Sequence, residues 1–165
     1  MDWVTVAVQW LHILLGIIWF GNALVVALIL IPSLNPLPIP TQREVGGRYG
    51  ERATRLFNVI GPAVIALGIV RGTLFGPLKT VDDVIGTAYG ITWLVALVAA
   101  VAVFLWGKFA IGGALDRMNA ATLNPDGTAT AELDEATSRV KVVASLELLG
   151  FIVIFTCMIL MRFGV

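Results

Sequence analysis

Residues 3–31 read WVTVAVQWLHILLGIIWFGNALVVALILI and contain no Lys, Arg, Asp or Glu. A helix of about 20 apolar residues is long enough to cross the hydrocarbon core of a bilayer, so this stretch predicts a membrane span. It also holds His12, the single histidine of the chain. Ionisable side chains inside membrane helices are costly and usually functional, which makes His12 the first candidate site residue.

The spacing around His12 brings several residues onto one face of the predicted helix. Intervals of three and four residues place side chains on the same side of an α-helix. The residues that follow this spacing are Gln9, His12, Gly16, Trp19 and Ala23. Gly16 lies one turn beyond His12 and is expected to leave a flat gap beside the imidazole. Either a planar macrocycle or a closely approaching helix would fit this gap.

The composition assigns the whole chain to the membrane. Of its 165 residues 58% are hydrophobic and 13% charged, and the formal net charge is zero, whereas about 25% of the residues of a soluble domain are charged. The neutral net charge argues against a nucleic-acid partner. The amino end lacks the basic region of a signal peptide, so we expect a retained first span. With one cysteine, Cys157, no internal disulfide can form.

Three further apolar stretches predict the rest of the fold. We expect a single transmembrane domain over residues 1–165, an all-α integral membrane four-helix bundle in contact with the lipid bilayer. The predicted spans cover about residues 3–31, 56–75, 88–111 and 140–161. The prolines from Pro32 to Pro40 predict an extended first connection, and residues 41–55 a water-exposed helical approach to the second span. Asn124-Pro125-Asp126-Gly127 predicts a turn in the third connection.

Small residues in the second span predict close helix contacts. Gly68, Gly72 and Gly76 fall four residues apart, a pattern that lets helix backbones approach each other in lipid. This surface could lie inside the bundle or join two copies of the chain. A homo-oligomer is therefore one expectation.

Isolated polar residues inside the spans are the other candidates. Arg71, near the end of the second span, has two interpretations: it snorkels to the interface, or it forms a salt bridge with an anionic group of a cofactor. Lys108 and Glu147 are predicted to lie at similar depth. Their simplest interpretation is a structural ion pair, because pairing offsets the cost of burying either charge, and a proton path is the alternative.

The imidazole of His12 has the chemistry of a metal ligand. A neutral imidazole is a good axial ligand for haem iron, and the alternative is a hydrogen bond to a neighbouring helix. One histidine cannot bind a haem from both sides, so the sixth coordination position would be open or filled by another group. The candidates for that group are Met158, Met161, Cys157, Tyr89 and His12 of a second chain.

The sequence around His12 resembles the first helix of a known family. Residues 10–24, WLHILLGIIWFGNAL, with the apolar run that ends at Ile31-Pro32, are similar to that helix in the copper-resistance-D-like superfamily. This group includes the membrane domain of cytochrome-type urate oxidases and the four-helix bacterial protoporphyrinogen oxidase. The resemblance implies haem b binding, with the axial histidine at the position of His12. It also implies a lysine on the third helix, for which Lys108 is the candidate.

Together these features predict a small haem b membrane protein with a redox role. In this interpretation His12 is the axial iron ligand, and Gly16 and Arg71 also contact the cofactor. The alternatives are a porphyrinogen oxidase-like enzyme, a copper-handling or transport component, and a non-catalytic bundle subunit. Copper would favour clustered Met, His or Cys ligands, and residues 157–161 hold the one such cluster in the sequence. The sequence names no electron partner.

The distribution of basic residues predicts the orientation. The first and third connections with their flanks hold most of them: Arg43, Arg48, Arg52, Arg55, Arg117, Arg139 and Lys141, with Lys108 at the boundary. The opposite side holds Arg71, Lys79 and Arg162. The positive-inside rule therefore predicts a protein of the bacterial cytoplasmic membrane with both termini outside and the long loops in the cytoplasm.

An epitope tag at either terminus should accordingly react with antibody on intact cells. A tag inserted into the third connection, between residues 121 and 130, is the matched control and should react only after permeabilisation. Labelling of both terminal tags from the cytoplasmic side alone would reverse the orientation.

Overall fold

The structure, a computed structural model, describes residues 2–125 and 128–164. Four helical segments are long and apolar enough to cross a membrane, and we call them spans 1 to 4: Trp3–Leu34, Ile39–Thr73, Ala88–Ala120 and Ala131–Arg162. Within the described ranges there is no β-strand, only an isolated bridge between Leu123 and Ala129. The predicted all-α four-helix bundle is confirmed. Of the predicted turn at 124–127, Asp126 and Gly127 lie outside the described residues.

Spans 1 and 3 each contain a π-helical turn, whereas spans 2 and 4 are single α-helices. Span 1 consists of α1 (Trp3–Val25), the π-helical turn Val26–Leu30 and α2 (Ile31–Leu34). Span 2 is α3 (Ile39–Thr73), and α4 (Val81–Ile85) lies in the connection that follows it. Span 3 consists of α5 (Ala88–Trp106), the π-helical turn Gly107–Ile111 and α6 (Gly112–Ala120). Span 4 is α7 (Ala131–Arg162).

The proline-rich first connection is shorter than the sequence predicts. Helical backbone continues through Pro32 to Leu34, and α3 begins at Ile39 with Pro40 in its first turn. Proline is tolerated in the first turn of a helix because an N–H there has no partner within the helix. The non-helical backbone is therefore confined to residues 35–38.

The predicted polar approach and the second span form one continuous helix. With 35 residues in α3 and 32 in α7, both are roughly 50 Å long at 1.5 Å per residue, against about 30 Å for the hydrocarbon core. The first parts of both helices carry charged side chains, including the exposed ion pair between Arg48 and Glu44. These parts are suited to lie outside the hydrocarbon core.

Hydrogen bonds from two tryptophans show that span 3 runs antiparallel to spans 2 and 4. Trp93 Nε1, near the start of span 3, donates to Gly68 O near the end of span 2 at 3.3 Å. Trp106 Nε1, later in span 3, donates to Val143 O near the start of span 4 at 3.0 Å. Span 1 packs against spans 2 and 4, as does span 3. We call the end that contains both termini and residues 74–87 the terminal end, and the opposite end the loop end.

A buried aromatic cluster joins all four spans near their middle. Its buried members are Trp19, Ala23, Ile60, Val103 and Phe151. The ring of Trp19 stands edge-on to Phe151 and Phe104, with centroid distances of 5.1 and 6.3 Å. Because lipid removes the hydrophobic drive between helices, such van der Waals packing is a main force that holds the spans together.

The predicted glycine surface packs inside the bundle. A Cβ atom added to Gly72 would collide with the indole of Trp93, and one added to Gly68 would lie 3.2 Å from His12 Cε1. Gly76 lies beyond the end of α3, against the backbone of that helix. The first two glycines therefore bring span 2 close to spans 3 and 1 of the same chain.

Polar contacts fix both ends of the bundle. At the loop end, Arg43 Nη2 donates to the carbonyl oxygens of Met118 and Ala121, where a cation complements the C-terminal dipole of α6. At the terminal end, the carboxylate of Asp83 accepts the backbone N–H groups of Lys79 and Thr80. These hydrogen bonds hold the pKa of Asp83 below its usual value. The stabilisation that they provide is present at neutral pH and is lost as the pH falls through that lowered pKa.

Two asparagines in the spans differ in their contacts. The Tyr49 hydroxyl donates to Asn22 Oδ1, and this interhelical hydrogen bond joins spans 1 and 2. Asn58, by contrast, is exposed and its side chain has no partner within residues 2–125 and 128–164.

The outer surface of the bundle is apolar. Large side chains that are more than half exposed include Trp10, Ile17, Val59 and Leu149. Soluble monomers rarely expose contiguous apolar surface on this scale. Contact with lipid accounts for it, because the hydrocarbon core is itself apolar.

We expect Gly72→Ala to lower the unfolding free energy by about 1–3 kcal/mol, because the added methyl group must displace the Trp93 indole. Thermal unfolding in detergent measures the change. Gly21→Ala is the matched control in span 1, since an added Cβ there meets no atom within 4 Å. Equal stability of the two variants would contradict the packing at Gly72.

Candidate functional site

A cavity of about 820 Å³ lies between the four spans toward the terminal end of the bundle. Ligand sites in proteins typically have volumes of about 300–1,000 Å³. Aromatic rings of Trp19, Phe20 and Phe151 line the part nearest the middle of the bundle. Side chains with polar atoms from all four spans also line the cavity, and these are Gln9, His12, Arg71, Tyr89, Trp93 and Arg162. The cavity is therefore largely apolar and polar toward one end.

His12 lies in the wall of this cavity, where a hydrogen bond fixes its imidazole ring. The Nδ1 atom is 3.1 Å from Val64 O. Because a carbonyl oxygen can only accept, Nδ1 carries the hydrogen and the lone pair resides on Nε2. Among the described residues, Nε2 has no hydrogen-bond partner. Histidines that bind metals commonly donate their other ring N–H to a carbonyl or carboxylate in this way.

Gly16 and Gly68 differ in what lies next to them. Gly16 lines the cavity, and an added Cβ would meet no atom within 4 Å, so open space adjoins its backbone. The close approach of a neighbouring helix occurs instead at Gly68, which packs against the edge of the imidazole. Of the two uses considered for the gap at Gly16, the open space favours a bound molecule.

Arg71 is brought to the same cavity and is held between spans 1 and 2. Its Nε atom donates to Gln9 Oε1 at 2.7 Å, and its Nη1 atom donates to Phe75 O at 3.0 Å. The side chain is half-buried. Its guanidinium group is therefore fixed by neutral acceptors at the cavity wall.

Span 4 contributes Phe155 and Arg162, which the sequence did not single out for this site, beside the candidate iron ligands Met158 and Met161. Phe155, Met158 and Arg162 recur at three and four residues, so they share the face of α7 that lines the cavity, together with Met161. The same spacing could have identified Arg162 as a candidate. Cys157 is buried but does not line the cavity.

The predicted ion pair between Lys108 and Glu147 is wrong. Lys108 Nζ lies over the ring of Phe109, 5.7 Å from its centroid, and forms no ion pair within residues 2–125 and 128–164. The carboxylate of Glu147 packs against Gly107, where an added Cβ would lie 2.9 Å from Oε1. Similar depth was not sufficient for pairing, because Lys108 belongs to the π-helical turn Gly107–Ile111, whose wider spacing changes the direction of side chains around the helix.

Comparisons with family models, with curated proteins and with solved structures found no match to this chain. Within the described ranges, no group of three or more His, Cys, Asp or Glu could hold a metal ion. A metal at His12 would therefore need ligands of another kind, such as the nitrogen atoms of a macrocycle or the thioethers of Met158 and Met161.

A double-mutant cycle tests the separation of Lys108 from Glu147. We expect Lys108→Met and Glu147→Gln to change the unfolding free energy additively, within about 0.5 kcal/mol, because unpaired residues have little coupling. Chemical unfolding of the wild type, both single variants and the double variant measures the coupling. A coupling energy above about 1 kcal/mol would instead support the ion pair.

Proposed function

We propose that this chain is a small haem b-binding membrane protein with a redox role, in which His12 is an axial ligand of the iron. The observation that carries the proposal is the hydrogen bonding of the two ring nitrogen atoms of His12. Its Nδ1–H is bound to Val64 O, and its Nε2 is without a protein partner in the wall of an apolar cavity. A lone pair in that position is suited to bind iron.

The residues of the cavity fit a haem in three respects. Its volume of about 820 Å³ is large enough for a molecule of cofactor size. Open space beside Gly16, one turn from His12, provides room for a planar ring. Arg71 places a cation at the polar part of the wall, where it can pair with a carboxylate. When bound, the haem would supply one-electron chemistry at its iron.

Three of the candidates for the sixth coordination position line the cavity that contains His12. Met158, Met161 and Tyr89 line the same cavity as His12, whereas Cys157 does not. A methionine ligand opposite His12 would raise the reduction potential of the iron. Without such a ligand the position stays open to a small molecule.

Copper binding is the second candidate, because thioether and imidazole ligands together suit Cu(I). Met158, Met161 and His12 line one cavity, as such a site requires. The volume of the cavity favours the haem proposal, since a single ion needs a small fraction of that space.

A porphyrinogen oxidase-like enzyme would use the same cavity for its tetrapyrrole substrate. A non-catalytic bundle subunit would have no use for it.

The proposed location is the bacterial cytoplasmic membrane, with both termini outside and the loop end in the cytoplasm. The excess of Arg and Lys at the loop end supports this orientation. His12 and Arg71 would then lie in the outer half of the bilayer. An electron partner or substrate would approach them from the outer side of the membrane.

The purified protein, isolated or reconstituted with haem, should show a Soret band, because His12 ligates the iron. The His12→Ala variant should lose the band or shift it strongly. Cys157→Ser is the matched control, since Cys157 adjoins Met158 in sequence but lies outside the cavity lining. Absorption spectra together with circular dichroism separate loss of haem from loss of fold.

Carbon monoxide tests the sixth position of the reduced iron. Rapid binding is expected for an open site, whereas slow binding that becomes rapid in Met158→Leu or Met161→Leu would identify the ligand. A protein that stays colourless after haem reconstitution, or a His12→Ala variant with an unchanged Soret band, would contradict the proposal.

A further inference from the structure

The polar part of the cavity carries positive charge that no acidic side chain balances. Arg71 and Arg162 both line the cavity, and no Asp or Glu among the described residues does. The guanidinium of Arg71 is half-buried and is bound to an amide oxygen and a carbonyl oxygen. A cation near apolar surroundings in a membrane protein is costly unless an anion accompanies it. The missing anion is therefore expected from a ligand.

Gln9 gives the guanidinium of Arg71 a defined position. The contact of Nε with Gln9 Oε1, at 2.7 Å, joins the two spans on either side of the site. With Nη1 bound to Phe75 O, the Nη2 group has no partner among the described residues. A pre-positioned guanidinium N–H is a strong donor to a carboxylate.

The apolar part of the cavity could hold the body of such a ligand. Ile13, Ile17 and Phe155 line the cavity, yet their exposed fractions are 43%, 63% and 54%. These residues belong to spans 1 and 4, so the cavity is open between those two helices on the surface that faces lipid. A ligand with an apolar body can enter there from the bilayer while its anionic group stays near the interface.

We propose that this cavity binds carboxylates with a large apolar body, and that Arg71 and Arg162 contact the carboxylate. Gln9 is a positioning residue that acts through Arg71. The inference rests on the proposed function for the identity of its preferred ligand, a porphyrin with propionate groups. The carboxylate contacts themselves need no iron. A fatty acid has the same chemistry, so the experiment includes one.

The probe is metal-free protoporphyrin, compared with its dimethyl ester, on the full chain in phosphatidylcholine nanodiscs. Without iron the probe cannot be ligated by His12, so the difference in affinity between acid and ester reports the carboxylate contacts. Quenching of tryptophan fluorescence measures the affinity, because Trp19 and Trp93 line the cavity, and empty nanodiscs correct for partition into lipid. The acid should bind about tenfold to a hundredfold more tightly than the ester, as expected for lost hydrogen bonds to a charged group.

Variants locate that preference on named side chains. Arg71→Gln and Arg162→Gln should each reduce the ratio of acid affinity to ester affinity, and Gln9→Ala should reduce it while both charges remain. Lys79→Gln is the matched control: it removes a charge at the same end, but Lys79 Nζ donates to Thr73 O and Leu74 O and does not line the cavity. If these three residues had only a structural role, their substitution would weaken the binding of acid and ester equally.

Equal affinities of the wild-type protein for acid and ester would overturn the inference, even if a variant failed to fold. The inference would also be overturned if Lys79→Gln lowered the ratio of acid affinity to ester affinity as much as Arg71→Gln does. Displacement of protoporphyrin by palmitate would support carboxylate recognition with a lipid as the ligand. If palmitate does not displace protoporphyrin and the preference for acid over ester remains, the result would support a porphyrin as the ligand. Failure of the haem proposal would appear separately, as a missing Soret band in a protein that still prefers the acid.

Discussion

The bundle depends on the close approach of helices at glycine, where a missing side chain admits a ring or a branched aliphatic group. Gly72 admits the indole of Trp93, Gly68 the imidazole of His12, and Gly61 the ring of Phe104. On span 4, Gly150 admits Val103 in the same way. Since apolar helices gain little from leaving lipid for one another, these contacts supply much of the association energy. They also orient the rings, and two of those rings line the cavity.

Neutral groups of neighbouring helices, rather than acids, hold the cations that join the spans. Arg43 is bound by carbonyl oxygens at the end of α6, and Arg71 by Gln9 and Phe75. Such contacts fix the position of a charge without neutralising it. At the loop end that charge complements a helix dipole. In the cavity it remains available to a ligand, which is the basis for expecting an anionic one.

One ligand could contact the apolar cavity wall, His12 and the two arginines, which have no Asp or Glu beside them among the described lining residues. An imidazole with one nitrogen bound to Val64 O and the other unpartnered offers a ligand for iron. Arginines toward the terminal end offer partners for carboxylates, and the opening between spans 1 and 4 offers access from lipid. A flat amphipathic cofactor would use all three features. The proposed redox role depends on that cofactor.

The sequence by itself determined the fold class, because four long apolar runs separated by charged or proline-containing segments have few other solutions in a bilayer. It also singled out His12 and Arg71, since ionisable residues stand out in apolar surroundings. Similar depth did not predict the surroundings of Lys108, which lies in a π-helical turn, and proline content did not predict the first connection, where helix extends through Pro32. Only the tertiary structure decided that His12 bonds to Val64, Arg71 to Gln9, and that Arg162 joins their cavity. These contacts depend on how four helices rotate and approach one another, which small residues distant in sequence control jointly.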